Sequence, residues 1–215
     1  MKLLVALVVV STFAIAVSSC GRSLPTGPLT SSASGAAQDP RTVGVDAADL
    51  QAGLSLCPAS GDIDRYLQRL EADGSPSYEV TSEQWAAFKQ LGANAGWVTS
   101  FAQSPEDCSL RLGERKDPSA ISFAIRFKEP SGAVRAFGQG FLGLRPANQM
   151  SAPGLVQGPG TQLAANAWTY DQTEQSPNLF VAFWVNRDFA LFLLTEHLPA
   201  AVSRQAASSM NLRVR

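Results

Sequence analysis

Four side chains in this sequence carry the options for nucleophilic, redox or metal chemistry: Cys20, Cys57, Cys108 and the single histidine, His197. A thiol can be acylated, oxidised or bound to a metal, according to its surroundings. No Cys-x-x-Cys or Cys–His spacing occurs, so a zinc-type site has no framework. His197 stands just before Leu198-Pro199, with Glu196 beside it and Asp188 upstream. A hydrolase would need a nucleophile beside that histidine, and no Gly-x-Ser-x-Gly elbow is present. A structural or surface histidine is the reading. Asp62 with Asp64, and Glu106 with Asp107, could each begin a cation site, but neither matches a calcium loop. Some pair among 18 acidic residues will face each other by chance, so paired-carboxylate chemistry gains no support. Gly138-x-Gly140-x-x-Gly143 spells a dinucleotide fingerprint, but it falls late in a helical stretch and not between a strand and a helix start. The expectation is a chain with no catalytic residue, no cofactor and no metal, hence not an enzyme.

The setting of Cys20 is more specific. Lys2 precedes an apolar run from Leu3 to Val17, and Ser18-Ser19-Cys20 follow. A positive start, an apolar stretch and small residues make a secretory signal. The run is shorter than the roughly 20 residues of a comfortable membrane span. Val17-Ser18-Ser19-Cys20 resembles the lipobox of bacterial lipoproteins, in which the cysteine is acylated and the preceding peptide removed. The resemblance implies a signal peptide over 1–19 and a lipidated Cys20. The protein would then be held at the cell membrane on its extracytoplasmic side. Two acyl chains hold a membrane firmly where one does not. The alternatives are ordinary cleavage near Ala14 and Ala16, or an uncleaved anchor helix.

With Cys20 lipidated, Cys57 and Cys108 remain as a pair, and in an exported protein they are most simply a disulfide. Two free buried thiols or a metal site are the alternatives. Residues 20–45 are rich in Gly, Ser, Pro, Thr and Ala and are expected to be a flexible linker behind the lipid anchor. Residues 46–215 are then one exported domain, long enough for a sizeable core. The 17 basic and 18 acidic residues nearly balance, and the arginines are scattered. A clustered basic face, which nucleic acid would require, is lacking.

The elements that must position these residues can be read in order. Ala47 to Leu56 is a short helix or a loop lying on the domain. Ile63, Tyr66, Leu67 and Leu70 fall at helical spacing and Asp73-Gly74-Ser75-Pro76 ends that helix. Thr81 and Gln84 spell a capping box with Val80 as a staple, opening a helix with Trp85, Phe88 and Leu91 inward and Gly92 as C-cap. Trp85 and Phe88 read as core in preference to a ligand platform. Strands are expected at Trp97 to Ala102, at Cys108 to Leu112, and at Ile121 to Phe127 with one buried and one wetter face. A helix after Pro130 presents Ala133, Val134, Phe137, Phe141 and Leu144. Residues 145–160 form a long loop, either a functional edge or a surface loop. Ala165 to Tyr170 is a strand. Leu179 to Val185 and Phe189 to Leu194 form a hairpin around Asn186-Arg187-Asp188, apolar on nearly both faces and therefore central. A last helix buries Val202, Ala206, Met210 and Leu212.

This order predicts an α+β fold: a mostly antiparallel sheet with flanking helices, a crossover helix and a C-terminal helix. Through Trp97-Val98-Thr99-Ser100-Phe101, Phe127-Lys128-Glu129-Pro130-Ser131-Gly132-Ala133 and the hairpin at Asn186, the domain resembles uncharacterised exported α+β lipoproteins of high-GC Gram-positive bacteria. That likeness carries no catalytic motif. It implies a non-catalytic module of the cell envelope that binds a small or lipidic ligand. The alternative is a structural or assembly lipoprotein that binds an envelope protein without a small ligand.

Overall fold

The computed structural model describes residues 37–51, 53–109, 114–144, 152–174 and 178–215. Cys20, the targeting segment, Leu110 to Leu112 and the start of the expected long loop lie outside the described residues.

Eight strands form one antiparallel sheet: β1 (Ser55–Leu56), β2 (Gly61–Asp62), β3 (Ala93–Ala102), β4 (Ser119–Phe127), β5 (Leu155–Gln157), β6 (Ala167–Asp171), β7 (Leu179–Asn186) and β8 (Phe189–Glu196). Their spatial order is β1-β3-β4-β8-β7-β6-β5, with β2 also pairing to β3. Among the described residues the α-helices are α1 (Ile63–Ala72), α2 (Ser77–Gln90), α3 (Pro130–Gln139) and α4 (Ala200–Arg213). After β4 the chain leaves through α3 to the far edge, enters β5, and walks back through β6 and β7 until β8 closes beside β4. The fold is α+β, with a mostly antiparallel sheet, flanking helices and a C-terminal helix.

That path explains why β7 and β8 are apolar on both faces. They lie inside the sheet, and every residue of β8 is buried. Their turn is tighter than expected: Asn186 pairs with Phe189, leaving only Arg187 and Asp188 to reverse the chain, with Arg187 at φ 55°. The sheet edges are short strands, which limits unwanted pairing.

Two cores result. On one face α1, α2 and α3 cover Val98, Ile121, Phe123, Ile125, Phe183 and Phe192, and Phe141 joins the aromatic cluster beyond the end of α3. Trp85 and Phe88 are core residues here. A Cβ on Gly132 would lie 2.4 Å from the Leu91 carbonyl oxygen, so the glycine lets α3 approach the end of α2. On the other face α4 and the segment 40–50 cover Phe101, Ala124, Phe180, Trp184, Leu191 and Leu193.

That segment is the largest departure from the sequence reading. The folded unit begins at Ala37, inside the stretch expected to be linker. Val43 and Val45 are buried, and the Val45 amide donates to Ser122 Oγ at 3.0 Å. Gly44 packs so closely that a Cβ would lie 2.9 Å from Thr99 Oγ1. The same contact corrects β4. Ala120, Ser122 and Ala124, small enough to read as a wetter face, are fully buried beneath this covering chain. The C-terminus pins it down: Arg213 donates to the Gly44 carbonyl and pairs with Asp49, while Gln38 donates to the Arg213 carbonyl.

Smaller corrections have local causes. Helix α2 starts a turn early, at Ser77 after Pro76. Thr81 is therefore interior and donates to the Ser77 carbonyl at 2.7 Å, with no capping role. Cys108 lies in a 3-10 turn, Glu106–Ser109, where a strand was expected. Val134 and Leu212 face solvent.

Candidate functional site

Helix α1 amphipathicity places Tyr66 inward, edge-on to Phe123 with ring centroids 5.8 Å apart. Strand alternation places Ser100 of β3 on the same face as Val98. The connection after the 3-10 turn returns Arg115 beneath these residues, where it is only 6 % exposed. Together Tyr66, Ser100 and Arg115 line a pocket of about 440 Å³ between α1, α2 and the sheet. Leu70, Val80, Phe123 and Leu142 are its apolar lining, and Asp73, Ser75, Ser77 and Thr81 add further polar groups.

The polar side of the pocket is held from several directions. Arg115 Nη2 donates to Ser100 Oγ at 3.1 Å. Its Nε lies 4.0 Å from the Glu196 carboxylate, itself 1 % exposed at the end of central strand β8. Nε and Nη1 make no hydrogen bond to a described residue. The buried Asp107 carboxylate accepts from the amide of Asp117 at 2.9 Å and from that of Lys116, folding this connection onto itself. Burial lowers the affinity of Arg115 for its proton, and the carboxylates of Glu196 and Asp107 oppose that loss. Burial also pushes the Tyr66 phenol up to about 12, against a smaller opposite pull from Arg115, so Tyr66 keeps its proton at neutral pH.

The residues singled out by sequence take positions around this pocket. Cys57 and Cys108 form a disulfide with their Cα atoms 5.5 Å apart, as expected of the pair, and Cys108 lines the pocket. The bond ties the turn ahead of Arg115 to the chain entering α1. His197 sits at φ 56°, and its Nε2 shares a 2.9 Å hydrogen bond with the Arg115 carbonyl. A carbonyl only accepts, so Nε2 carries a proton there. The histidine thus holds the backbone of the pocket arginine. Asp62 and Asp64 serve helix ends and side chains: Asp62 accepts from the Asp64 amide, and Asp64 from Trp85 Nε1 at 2.8 Å. Among the described residues no cluster of three metal-ligating side chains occurs, and no helix is long and apolar enough to cross a membrane.

Arg115, Ser100 and the Tyr66 hydroxyl escaped the sequence reading. Glu114-Arg115-Lys116-Asp117 looks like a solvated charge run, which is what such runs usually are. One signal was present: Glu196 ends a central strand that is apolar from Phe189 to Leu194, and a carboxylate there calls for a buried cation. A second cavity, of about 310 Å³, lies beside α4, but its charged pair Arg204–Asp171 is largely solvent-exposed on the arginine side and builds no buried polar floor.

No protein-family model matches this chain and no curated protein is significantly similar to it.

Proposed function

We propose that this protein is a membrane-anchored extracytoplasmic lipoprotein, tethered through Cys20, whose domain binds a small ligand in the pocket between α1, α2 and the sheet without transforming it. The observation that carries the reading is the pocket itself: about 440 Å³ of concave space with apolar walls and a few buried polar groups at one end. That combination, in the range of about 300–1,000 Å³, is the usual form of a small-molecule site. His197 is engaged with a backbone carbonyl, so the residue best suited to acid–base work is committed to holding the fold.

Two experiments test the two halves. Cys20→Ala should shift the protein from the membrane fraction to the soluble fraction; firm attachment of a processed Cys20→Ala protein overturns the lipid anchor. Native mass spectrometry of protein purified gently from its own cells should show a reproducible adduct lost on denaturation. A clean protein mass under conditions that preserve known weak complexes would transfer the reading to the alternative, an assembly lipoprotein that meets a protein partner.

A further inference from the structure

We infer that the pocket takes a ligand that brings a planar oxygen acceptor, a carbonyl or a carboxylate, to the Arg115 guanidinium, with an apolar chain behind it. This rests on the ligand-binding reading above and adds the chemistry of the ligand's polar end. Arg115 lines the pocket, and its side chain is 3 % exposed. A guanidinium carries five N–H donors and accepts nothing. Nη2 gives one of them to Ser100 Oγ at 3.1 Å, and Nε and Nη1 give theirs to no described residue. Ser100 lines the same pocket, so its contact with Nη2 places the end of the guanidinium at the pocket floor. A buried donor without an acceptor has lost the hydrogen bond that water gave it in the unfolded chain, and a ligand oxygen restores it.

The groups at the floor select the ligand's head. The guanidinium offers only donors, and its charge repels an ammonium. Glu196 meets Arg115 at Nε, 4.0 Å away and beyond hydrogen-bond reach. Nη1 and Nη2 form the end of the planar fork, the edge that an oxygen of a carbonyl or carboxylate fits in plane. Ser100 Oγ accepts from Nη2 and keeps its own proton to give to the same oxygen. Burial weakens the hold of Arg115 on its proton, and an oxygen at Nη1 supports the charged form against that loss. Leu70, Val80, Phe123 and Leu142 line the space for the chain behind the head.

The test uses three probes with one chain and different heads: hexanoate, hexanamide and hexylammonium, short enough to stay out of detergent micelles. Each is titrated into the full mature protein while NMR follows the guanidinium N–H signals of Arg115 and the backbone amide of Phe123. At least one of the two oxygen-bearing probes should shift the Arg115 signals and bind about tenfold more tightly than hexylammonium, which has no acceptor. The tighter of the two names the head, an acid for hexanoate and an amide or ester for hexanamide. Arg115→Lys keeps the positive charge and removes the fork, so it should weaken the oxygen-bearing probes about tenfold and leave hexylammonium unmoved. Should that variant fail to fold, the titration of the parent protein decides alone. Hexylammonium binding as tightly as the better oxygen-bearing probe, or binding that moves Phe123 and leaves the Arg115 signals in place, overturns the acceptor assignment and leaves the ligand-binding reading standing. Undiminished binding of the oxygen-bearing probes to a folded Arg115→Lys protein does the same. Failure of all three probes to shift any of these signals overturns both.

Discussion

Tyr66 joins two roles in one side chain. Its ring fills the core against Phe123, and the same residue lines the pocket. Because burial raises its pKa from 10.0 to about 12, folding stability depends on pH in the alkaline range. Below pH 10 both folded and unfolded chains keep the proton, and the contribution is whole. Between the two values the unfolded chain ionises while the folded one resists, so stability falls as pH rises. A two-unit shift corresponds to about 2 to 3 kcal/mol. Denaturant titrations between pH 9 and pH 12 should show a loss of that order in the parent, and Tyr66→Phe should lack it. Equal alkaline loss in both proteins would mean the phenol is hydrated in the folded state. Arg115 makes the complementary point: a charged residue in a polar run was hidden by its neighbours in sequence, and only Glu196 at the end of a buried strand hinted at where it goes.

At the scale of elements, the disulfide is the device that places the pocket floor. It closes a separation of 51 residues and fixes the Glu106–Ser109 turn to the chain ahead of α1. The connection beyond it carries Arg115, which His197 holds by its carbonyl. Loop-closure entropy gives a stabilisation of roughly 4 kcal/mol for a loop of this size. The double variant Cys57→Ala, Cys108→Ala should lose about that much in a denaturant titration, and the amides of residues 115–118 should exchange faster than those of β8. Unchanged exchange there would show that the Asp107 and His197 hydrogen bonds hold the connection alone. The helices were legible in outline because their apolar stripes repeat at helical spacing, as in Ile63, Tyr66 and Leu67. The start of α2 was missed because Thr81 and Gln84 imitate a capping box one turn inside a helix that Pro76 had already opened.

For the whole molecule, the decisive contact joins the two ends of the folded unit. Residues 38–49 lie under the C-terminus, where Gln38 and Asp49 meet Arg213, and they roof the small residues of β4. Removing residues up to 45 should therefore destabilise the domain by about 3 kcal/mol or more, the worth of re-exposing Val43 and Val45 together with the surface they cover. A chain starting at Ala37 keeps the whole covering segment and is the reference for that loss. Equal stability of the two truncations would overturn this role. The α+β class, the central hairpin, the inward stripe of α1 and the pairing of Cys57 with Cys108 were legible in the sequence alone, whereas the spatial order of the strands was not. Each legible feature follows from alternation, spacing or composition carried in a short stretch of chain or in a count of cysteines. The burial of Arg115, the roofing of Ala120, Ser122 and Ala124, and the pocket that brings Tyr66 to Ser100 were decided only by the tertiary structure. Burial is a property of two surfaces that meet, and here the partners stand far apart along the chain: Val45 reaches Ser122, and Arg115 meets Glu196. No local pattern encodes which distant segment will cover which face.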